Sequence, residues 1–445
     1  MGIFKAYDVR GKYPEEINEK LAYNIGRAMV ILLQAKNFLV CQDAREGSDL
    51  LAKAFLKGVT DQGSNTTYSG LTTTPMFYYF KKKKGFDAGV MITASHLPAG
   101  YNGLKAMKKD GFMGYDSGYK EVEELIVSGK IKKIPLAEDK GTVKEESYEN
   151  EYIDFVLGNT TGKLKGLKVV VDSSNGMTGP IIKKILDKAG VDYIGLNMNY
   201  NLENPAHDLN PLNESARKQA VEKILETGAQ LGAVFDADGD RVIFLDEKGT
   251  YLSGDYTTAI LAKHLAKPGD VIVHEVLCGR AFREAIDAMG CKRVMCRVGH
   301  LFIKDNMLKY NARLGAELSS HLYFREAGGG ENCILALFHM IGILNKEKKP
   351  LSKIMIPLLA KWIKSDELNY EVDSNNIKDA KIEEIKKSFQ DGKQHYMDGV
   401  TVEYDDSWLN VRKSNTEPVL RLRIEATTQK RLDELQKKVE MIIKK

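Results

Sequence analysis

The feature that most restricts the fold of this chain is the regular alternation of short apolar runs with amphipathic helical patterns. Residues 38–41 and 89–92 are continuous apolar runs of the kind that form buried strands. Residues 14–33 and 49–62 instead carry apolar side chains at helical spacing, and Pro14 opens the first of these helices. Strands separated by helices of this length predict parallel sheets that are covered by helices on both faces.

The same alternation restarts twice further along the chain. The second round predicts strands over residues 167–172 and 231–235 and helices over residues 179–189 and 213–227. The third round predicts a strand over residues 270–276 and helices over residues 256–266, 280–289 and 301–310. Three rounds of about 100 to 150 residues each predict three similar α/β domains with parallel or mixed sheets.

The end of the chain has a different pattern. Short strands are predicted over residues 368–372, 400–404, 408–411 and 420–424, with helices over residues 377–389 and 428–444. This arrangement predicts a smaller α+β domain. The expected domains are 1–148, 149–252, 253–365 and 366–445, and the Lys/Glu-rich residues 138–149 are the best candidate for a linker.

Composition excludes several classes of protein. The 65 basic and 61 acidic side chains are interleaved and leave a net charge of +4, so the basic stripe that nucleic-acid binding needs is missing. The short basic run 81–84 fits a solvated turn before a strand. There is no stretch of 18 apolar residues and no apolar N-terminal segment, so neither a membrane span nor export is expected. The five cysteines are odd in number and lack CxxC spacing, which favours buried thiols in a reducing cytoplasm.

Residues 93–105 (TASHLPAGYNGLK), called the serine loop below, carry the strongest indication of chemistry. Ser95 and His96 follow the predicted strand 89–92, and Pro98 disfavours a helix after them. A hydroxyl on a loop at a strand end, with His96 beside it and Lys105 ten residues on, suits covalent catalysis. Taken alone, such a serine more often only bonds to nearby backbone groups.

A second unusual segment is the acidic loop, residues 236–241 (DADGDR). Side chains two residues apart in an extended loop point the same way, so Asp236, Asp238 and Asp240 are expected to converge. Three carboxylates at one point repel one another unless a cation such as Mg²⁺ neutralises them. An EF-hand is excluded because its sixth position is Arg241 rather than glycine and because the flanking residues predict strands. A solvated acidic turn is the ordinary alternative.

Two further segments are suggestive but weaker. In the polar turn, residues 412–418 (RKSNTEP), exposed backbone N–H groups, two hydroxyls and Arg412 suit a phosphate dianion. In the ESH loop, residues 315–321 (GAELSSH), Glu317, Ser319 and His321 alternate, as recognition of sugar hydroxyls would use. From composition alone, an ordinary polar turn explains the first pattern better than a phosphate site does. An amphipathic strand explains the second pattern equally well.

Together these segments resemble, in their order along the chain, the α-D-phosphohexomutases. The N-terminal residues 4–11 (FKAYDVRG) resemble that family's opening, and Arg297 to His300 with Lys304 resembles one of its substrate segments. The serine loop, the acidic loop, the ESH loop and the polar turn resemble its phosphoserine, metal, sugar and phosphate loops. The opening and residues 321–325 (HLYFR) resemble the phosphomannomutase/phosphoglucomutase branch.

The resemblance implies four domains around a central cleft, with one loop from each. It implies an enzyme that interconverts the 6-phosphate and 1-phosphate of mannose, glucose or both through a phosphoserine and a bisphosphorylated sugar. One Mg²⁺ per chain would be held by Ser95 with Asp236, Asp238 and Asp240, and a hexose 1,6-bisphosphate would act as intermediate and activator. A cytoplasmic monomer or homodimer with a phosphosugar substrate, and without nucleic-acid or membrane partners, is expected.

The resemblance also implies roles for single residues. The catalytic group comprises Ser95, His96, Lys105, Arg241 and Arg10. Lys105 is the candidate general acid/base, on the expectation that burial beside cations lowers its pKa. The substrate-binding group comprises Tyr7, Arg297, His300, Glu317, Ser319, His321, Arg412, Ser414, Asn415, Thr416 and Arg421.

Three departures from the family pattern leave alternatives open. Leu97 replaces the usual asparagine after Ser-His, Ala316 and Ser320 replace glycines of the sugar loop, and residues 330–332 (GEN) replace the usual acidic Asp-Gly element after that loop. The alternatives are a phosphoglucosamine mutase, a sugar-phosphate binding protein without catalysis, and a metal-dependent phosphatase with a serine nucleophile.

Overall fold

The computed structural model of the chain describes residues 2–372, 374–414 and 418–444. Its first unit contains a mixed sheet of strands β1 (Val9–Lys12), β2 (Asn37–Gln42), β3 (Asn65–Leu71), β4 (Ala88–Ile92), β5 (Tyr101–Lys108), β6 (Gly111–Phe112) and β7 (Val143–Glu145). Its helices are α1 (Glu19–Leu33), α2 (Ser48–Asp61), α3 (Thr74–Lys83) and α4 (Tyr119–Val127). The strand order is β1-β5-β4-β2-β3-β7, and β4, β2, β3 and β7 run parallel.

Three local expectations for this unit are wrong. Helix α1 begins at Glu19 rather than at Pro14, because the Asn18 side chain accepts the backbone N–H of Leu21 and caps the helix there. The proposed linker 138–149 contains β7, which pairs with β3 at the sheet edge. The basic run 81–84 belongs to the end of α3, where Lys81 is buried and its ammonium donates to the carbonyl oxygen of Lys108.

The second unit begins with α5 (Glu149–Asn159) and has strands β8 (Lys168–Asp172), β9 (Asp192–Leu196), β10 (Leu231–Phe235), β11 (Val242–Leu245) and β12 (Tyr251–Leu252), with helices α6 (Thr178–Ala189) and α7 (Glu214–Thr227). The third unit has strands β13 (Val271–Glu275), β14 (Lys292–Cys296), β15 (Leu314–Ala316) and β16 (Leu322–Phe324), with helices α8 (Gly254–Leu265), α9 (Arg280–Ala288), α10 (His300–Lys309), α11 (Cys333–Glu347) and α12 (Leu351–Leu359). In both sheets the strands are parallel from one edge through the middle and antiparallel at the other edge.

The fourth unit is an antiparallel sheet of β17 (Ile363–Lys364), β18 (Leu368–Glu371), β19 (Lys393–His395), β20 (Val400–Glu403), β21 (Ser407–Lys413) and β22 (Val419–Ala426), with helices α13 (Asn375–Ser388) and α14 (Gln429–Ile443). Three α/β units followed by an α+β unit confirm the expected fold class. The boundaries at 148, 252 and 365 stay predictions, and β17 just before the last of them already pairs with β22.

The hydrophobic cores divide the chain differently from the sheets. One continuous cluster joins buried side chains of the first three units, among them Leu39, Val171 and Phe338. The first unit also has a second cluster, and β2 contributes side chains to both. The fourth unit has a cluster of its own, which includes Ile385, Leu422 and Val439. Among the described residues, no helix combines the length and apolarity that crossing a membrane requires.

The four candidate loops occupy equivalent places in the four units. Each connects two adjacent strands that pair antiparallel: β4 with β5, β10 with β11, β15 with β16, and β21 with β22. In the first three units the strand before the loop also pairs with a parallel neighbour, so the loop lies at the carboxyl end of the parallel strands. Open α/β sheets bind ligands at that end.

Candidate active site

Ser95 lies three residues beyond the end of β4 in a strained and buried position. Its φ is 56°, in the left-handed region that few serines adopt, and its residue is 2% exposed. The Thr93 hydroxyl accepts its backbone N–H at 3.0 Å, and the Ser95 hydroxyl lies 3.3 Å from His96 Nδ1. Burial, together with Arg241 and Arg10, holds the pKa of His96 well below its ordinary value, so its imidazole is neutral.

The acidic loop follows β10 directly and brings its three carboxylates together. One carboxylate oxygen from each of Asp236, Asp238 and Asp240 lies within 4.8 Å of the others, and all three residues are buried. The second oxygen of Asp236 and one oxygen of Asp238 accept no hydrogen bond from the described residues, and Oδ1 of Asp240 is paired with His321 Nε2 at 3.3 Å. Burial and the two neighbouring carboxylates hold the pKa of Asp236 well above its ordinary value. This concentration of buried negative charge requires cations around it.

Lys105 supplies one of those cations and joins the first unit to the second. It lies on β5 opposite Met91 of β4, and its Nζ donates to Asp238 Oδ2 and to Asp240 Oδ2, each at 2.6 Å. Burial lowers the pKa of Lys105, but the two carboxylates raise it more, so it stands above the ordinary lysine value. The prediction that the pKa of Lys105 is lowered is therefore wrong. It was based on burial and on nearby cations, and it did not include the two carboxylates of Asp238 and Asp240.

His321 makes the corresponding connection from the third unit. Its Nε2 lies 3.3 Å from Asp240 Oδ1, and its Nδ1 lies 3.3 Å from Glu317 Oε2 and 2.8 Å from the Ser319 hydroxyl. Burial lowers the pKa of His321, but the two carboxylates raise it to about 10. His321 therefore connects the ESH loop to the acidic loop. Arg241 Nε lies 3.2 Å from His321 Nε2.

The other first-unit and third-unit candidates surround this center. The Tyr7 ring contacts the His300 ring edge-on at 5.0 Å, and its hydroxyl donates to the Val298 carbonyl. Arg10 donates to Asp8 at 2.7 Å and is within electrostatic reach of Asp238 and Asp240. Arg297 is stacked over Phe302 at 4.8 Å.

The fourth-unit candidates lie beside a carboxylate that the sequence did not single out. Glu367 binds Arg412 Nη2 at 3.2 Å through one oxygen and Arg421 Nη1 at 2.9 Å through the other. The backbone N–H of Ser414 donates to Val419 at 3.0 Å. Asn415 and Thr416 lie outside the described residues. The fourth unit reaches the third through Asp398, which accepts the backbone N–H of Val298 beside Arg297.

Several contacts of buried charged residues near the site were not predicted from the sequence. Glu331 forms an ion pair with Lys304 at 2.8 Å, and Lys304 Nζ also lies 3.1 Å from His300 Nδ1. Glu275 ends β13 and accepts the backbone N–H of Leu318 in the ESH loop; burial and Glu317 raise its pKa to about 8. A charged residue at the end of a strand that begins Val-Ile-Val was the available signal for Glu275.

Two polar contacts of the serine and acidic loops were also missed. Thr74 opens α3, and its hydroxyl donates to Asp238 Oδ2 at 2.6 Å while its N–H donates to the Asp238 carbonyl at 3.0 Å. Arg45, in the segment between β2 and α2, donates to carbonyl oxygens of the serine loop. Local sequence patterns could not predict the roles of Thr74 and Arg45, because each residue lies 50 or more positions from its partner in the chain.

Comparison with known proteins agrees with this arrangement over the whole chain. Models of the phosphoglucomutase/phosphomannomutase family match their alpha/beta/alpha domain I to residues 1–132, domain II to 150–249, domain III to 253–361 and the C-terminal domain to 367–441. A phosphomannomutase of Methanocaldococcus jannaschii is 34% identical over 458 residues, which cover 100% of this chain and 98% of that protein. A phosphomannomutase/phosphoglucomutase of Pseudomonas syringae is 32% identical over 98% of this chain and 93% of its own length.

A solved structure extends the similarity to the fold. The phosphoglucomutase/phosphomannomutase family protein of Burkholderia thailandensis superposes with a TM-score of 0.89 at 25% identity, over 99% of this chain and 97% of that one. With all four family domains matched in order, the chain belongs to the phosphoglucomutase/phosphomannomutase family.

Proposed function

We propose that this chain interconverts hexose 6-phosphate and hexose 1-phosphate, of mannose, glucose or both, through a phosphorylated Ser95 and a bisphosphorylated sugar. The observation that carries the proposal is the pair of bonds from Lys105 to Asp238 and Asp240, each 2.6 Å long. They bring the acidic loop of the second unit against the β4–β5 hairpin that presents Ser95. Membership of a phosphohexomutase family supports the same reaction.

The acidic loop has the donor set of a hard divalent cation. Asp236 and Asp238 each offer a buried oxygen that receives no hydrogen bond from the described residues, Asp240 offers one that is paired with His321, and all-oxygen ligation suits Mg²⁺. We assign these three residues, with a phosphate oxygen on Ser95, as its ligands. When bound there, Mg²⁺ would offset the repulsion between a phosphoserine dianion and an incoming hydroxyl, and would polarise the phosphoryl group.

Ser95 is proposed to carry the phosphoryl group. In the first half of the reaction the bond between phosphorus and Ser95 Oγ breaks and a bond from phosphorus to a sugar hydroxyl oxygen forms, while a proton leaves that hydroxyl and one is gained by Ser95 Oγ. The bisphosphorylated sugar then turns over, and Ser95 Oγ takes the phosphoryl group from its other end. The αL backbone of Ser95 and its buried surroundings support this role, because both fix the direction in which Oγ points.

The residues around Ser95 are proposed to have two roles: some transfer or share protons, and others stabilise negative charge on the phosphoryl group. Lys105 is an ammonium between two carboxylates, so we assign it the acid part of the proton exchange. His96 is neutral and 3.3 Å from Ser95 Oγ, which suits a hydrogen-bond partner for the reacting oxygen. Arg10 and Arg241 are assigned to the negative charge on the transferring phosphoryl oxygens.

The third and fourth units are proposed to hold the sugar and its second phosphate. Glu317, Ser319 and His321 present hydrogen-bonding groups on one loop, beside Tyr7, His300 and Arg297. Arg412, Ser414 and Arg421, with Asn415 and Thr416 outside the described residues, form the proposed phosphate site. Glu367 supports this assignment, because one carboxylate already holds both guanidinium groups side by side.

A labelling experiment tests the proposal. Incubation with ³²P-labelled hexose 1,6-bisphosphate should label the parent chain, and Ser95→Ala should remove the label and nearly all turnover. Ser64→Ala is the matched control: Ser64 is also a buried serine of the first unit, but its hydroxyl donates to the Ala35 carbonyl. Undiminished labelling of Ser95→Ala, with the parent's turnover, would rule out Ser95 as the phosphoryl carrier.

The preferred hexose is tested by comparing kcat/KM for the phosphates of mannose, glucose and glucosamine. The proposal expects turnover of mannose or glucose phosphate without release of inorganic phosphate. A higher kcat/KM for glucosamine phosphate would identify a phosphoglucosamine mutase, and stoichiometric release of phosphate would identify a phosphatase.

A further inference from the structure

The serine loop rests on a segment of the first unit that the sequence did not connect with it. This segment, residues 43–48, follows β2 and leads into α2. Arg45 lies at its center and is 4% exposed. Its Nη2 donates to the carbonyl oxygens of Ser95 at 2.5 Å and of Leu97 at 2.6 Å, and its Nη1 donates to that of Pro98 at 3.0 Å.

One guanidinium therefore binds three carbonyl groups of the serine loop around the proposed phosphoryl carrier. Carbonyl oxygens that converge in this way repel one another unless a donor with several fixed N–H groups lies between them. Among side chains, only arginine offers five N–H donors in one rigid plane, whereas lysine offers a point charge. The contacts reach the backbone, so the replacement of the usual asparagine by Leu97 leaves them in place.

A second set of bonds holds Arg45 itself. Asp43 lies 3.3 Å from Arg45 Nε through one oxygen, and its other oxygen accepts the Arg45 N–H at 3.1 Å and the Ser48 hydroxyl at 2.6 Å. Ser48 also accepts the side-chain amide of Asn102, at the far end of the serine loop, at 2.9 Å. The two segments are thus bonded at both ends of the serine loop.

The backbone of Ser95 needs such support. A non-glycine residue in the left-handed region costs on the order of 1 kcal/mol or more and persists only where the surroundings fix it. The bond from Arg45 to the Ser95 carbonyl and the bond from the Ser95 N–H to Thr93 act on the two sides of that φ angle.

We propose that Arg45 is a positioning residue for phosphoryl transfer: through the Ser95, Leu97 and Pro98 carbonyls it fixes the direction of the Ser95 hydroxyl. The inference rests on the proposed function of Ser95. Arg45 touches no reacting atom, and its effect is exerted through the backbone of the serine loop.

The first unit contains a matched control. Arg27 is likewise buried, at 6% exposure, and its guanidinium donates to the Ile134 carbonyl and to Gln62, away from the serine loop. Arg45→Lys and Arg27→Lys therefore both replace a buried arginine by lysine in the same unit. Only the first change removes the planar donor from beneath Ser95.

We expect Arg45→Lys to lower kcat by about 100-fold, since misplacement of a reacting group by about 1 Å has that effect, while KM changes little. Arg27→Lys should keep the parent's kcat. Arg45→Gly, measured with added guanidinium below the concentration that unfolds the parent, should regain part of the lost kcat. A kcat for Arg45→Lys within about threefold of the parent's would overturn the proposal.

Hydrogen–deuterium exchange separates this inference from the proposed function. Arg45→Lys should speed exchange of the amides in residues 95–103 and leave those of α2 and α6 as in the parent. Unchanged exchange in residues 95–103 would overturn the positioning role, whether or not the chain turns over hexose phosphates. A parent chain that shows neither label nor turnover, with faster exchange in Arg45→Lys, would instead refute the proposed function alone.

Discussion

Buried charges near the site are paired with residues distant along the chain, and for Lys105 and His321 such a partner lies in another unit. Lys105 meets Asp238 and Asp240, His321 meets Asp240, and Lys304 meets Glu331. Removing one member of such a pair leaves the other charge buried and alone, which costs about 3 to 5 kcal/mol. A substitution at one of these residues therefore tests stability as well as activity, and needs a control that separates the two.

His207 gives a pH-dependent stability that can be measured away from the proposed chemistry. Burial lowers the pKa of His207, but the Asp172 carboxylate at 3.1 Å raises it more, so its pKa stands above the ordinary value. The ion pair of His207 therefore stabilises the folded state, and this contribution is complete at pH values below the unfolded-state pKa of about 6.5. The contribution is lost as the pH rises through the folded-state pKa of His207. His207→Gln should therefore lower Tm more at about pH 6 than at about pH 9.

His339 provides a control of opposite sign. Burial lowers the pKa of His339 to about 4, so it stays neutral in the fold where the unfolded chain takes up a proton. The Tm difference between the parent and His339→Gln should therefore shrink toward acid pH. A His207→Gln difference that also shrinks toward acid pH would contradict the ion pair with Asp172.

At the scale of elements, two helical glycines make a matched pair. Gly158 lies exposed in α5, and a Cβ placed on it meets no atom within 4 Å. Gly342 lies in α11, where a Cβ would come within 1.7 Å of the Thr161 carbonyl oxygen. Gly158→Ala should raise the free energy of unfolding by about 0.5 to 1 kcal/mol, and Gly342→Ala should lower it by about 1 to 3 kcal/mol or more.

Urea denaturation of both variants checks this prediction. The two substitutions are chemically identical, so helix propensity favours alanine in each, and only the space around the Cβ differs. Equal effects of both would mean that α11 does not approach residue 161 closely.

The helices and strands also show which elements local sequence patterns can predict. The apolar runs at 89–92 and 231–235 and the helical spacing at 179–189 predicted β4, β10 and α6 almost to the residue. The pattern did not yield β7 or α11: β7 is a fully exposed edge strand without alternation, and α11 is apolar on every side and has no helical stripe. Pro14 was given too much weight, because the cap at Asn18 decides where α1 begins.

For the site, the sequence supplied the loops but not the contacts between them. The order and spacing of Asp236, Asp238 and Asp240 were enough to predict their convergence, because that depends on local geometry. The contacts between distant segments could not be predicted, because the spacing of residues along the chain does not show which segments meet. These contacts are made by Thr74, Arg45, Glu331 and Glu367. The expected pKa of Lys105 was wrong for the same reason.

At the scale of the whole molecule, the shared core of the first three units and the separate core of the fourth predict two unfolding transitions in calorimetry. Leu337→Ala should lower one of them and Leu422→Ala the other, since each leucine is fully buried in a different core. Mg²⁺ should raise the three-unit transition alone, because a ligand stabilises the fold that binds it, and Asp238→Asn should abolish that shift.

A single transition that both leucine variants lower equally would contradict this division. A Mg²⁺ shift retained in full by Asp238→Asn would place the cation elsewhere, independently of any assay of turnover.

Ser95, the proposed phosphoryl carrier, is 2% exposed. Recognition by a protein kinase needs an accessible peptide segment, which a serine recessed in a folded hairpin does not offer. Under the proposed function, Ser95 would therefore exchange its phosphoryl group only with molecules as small as a sugar.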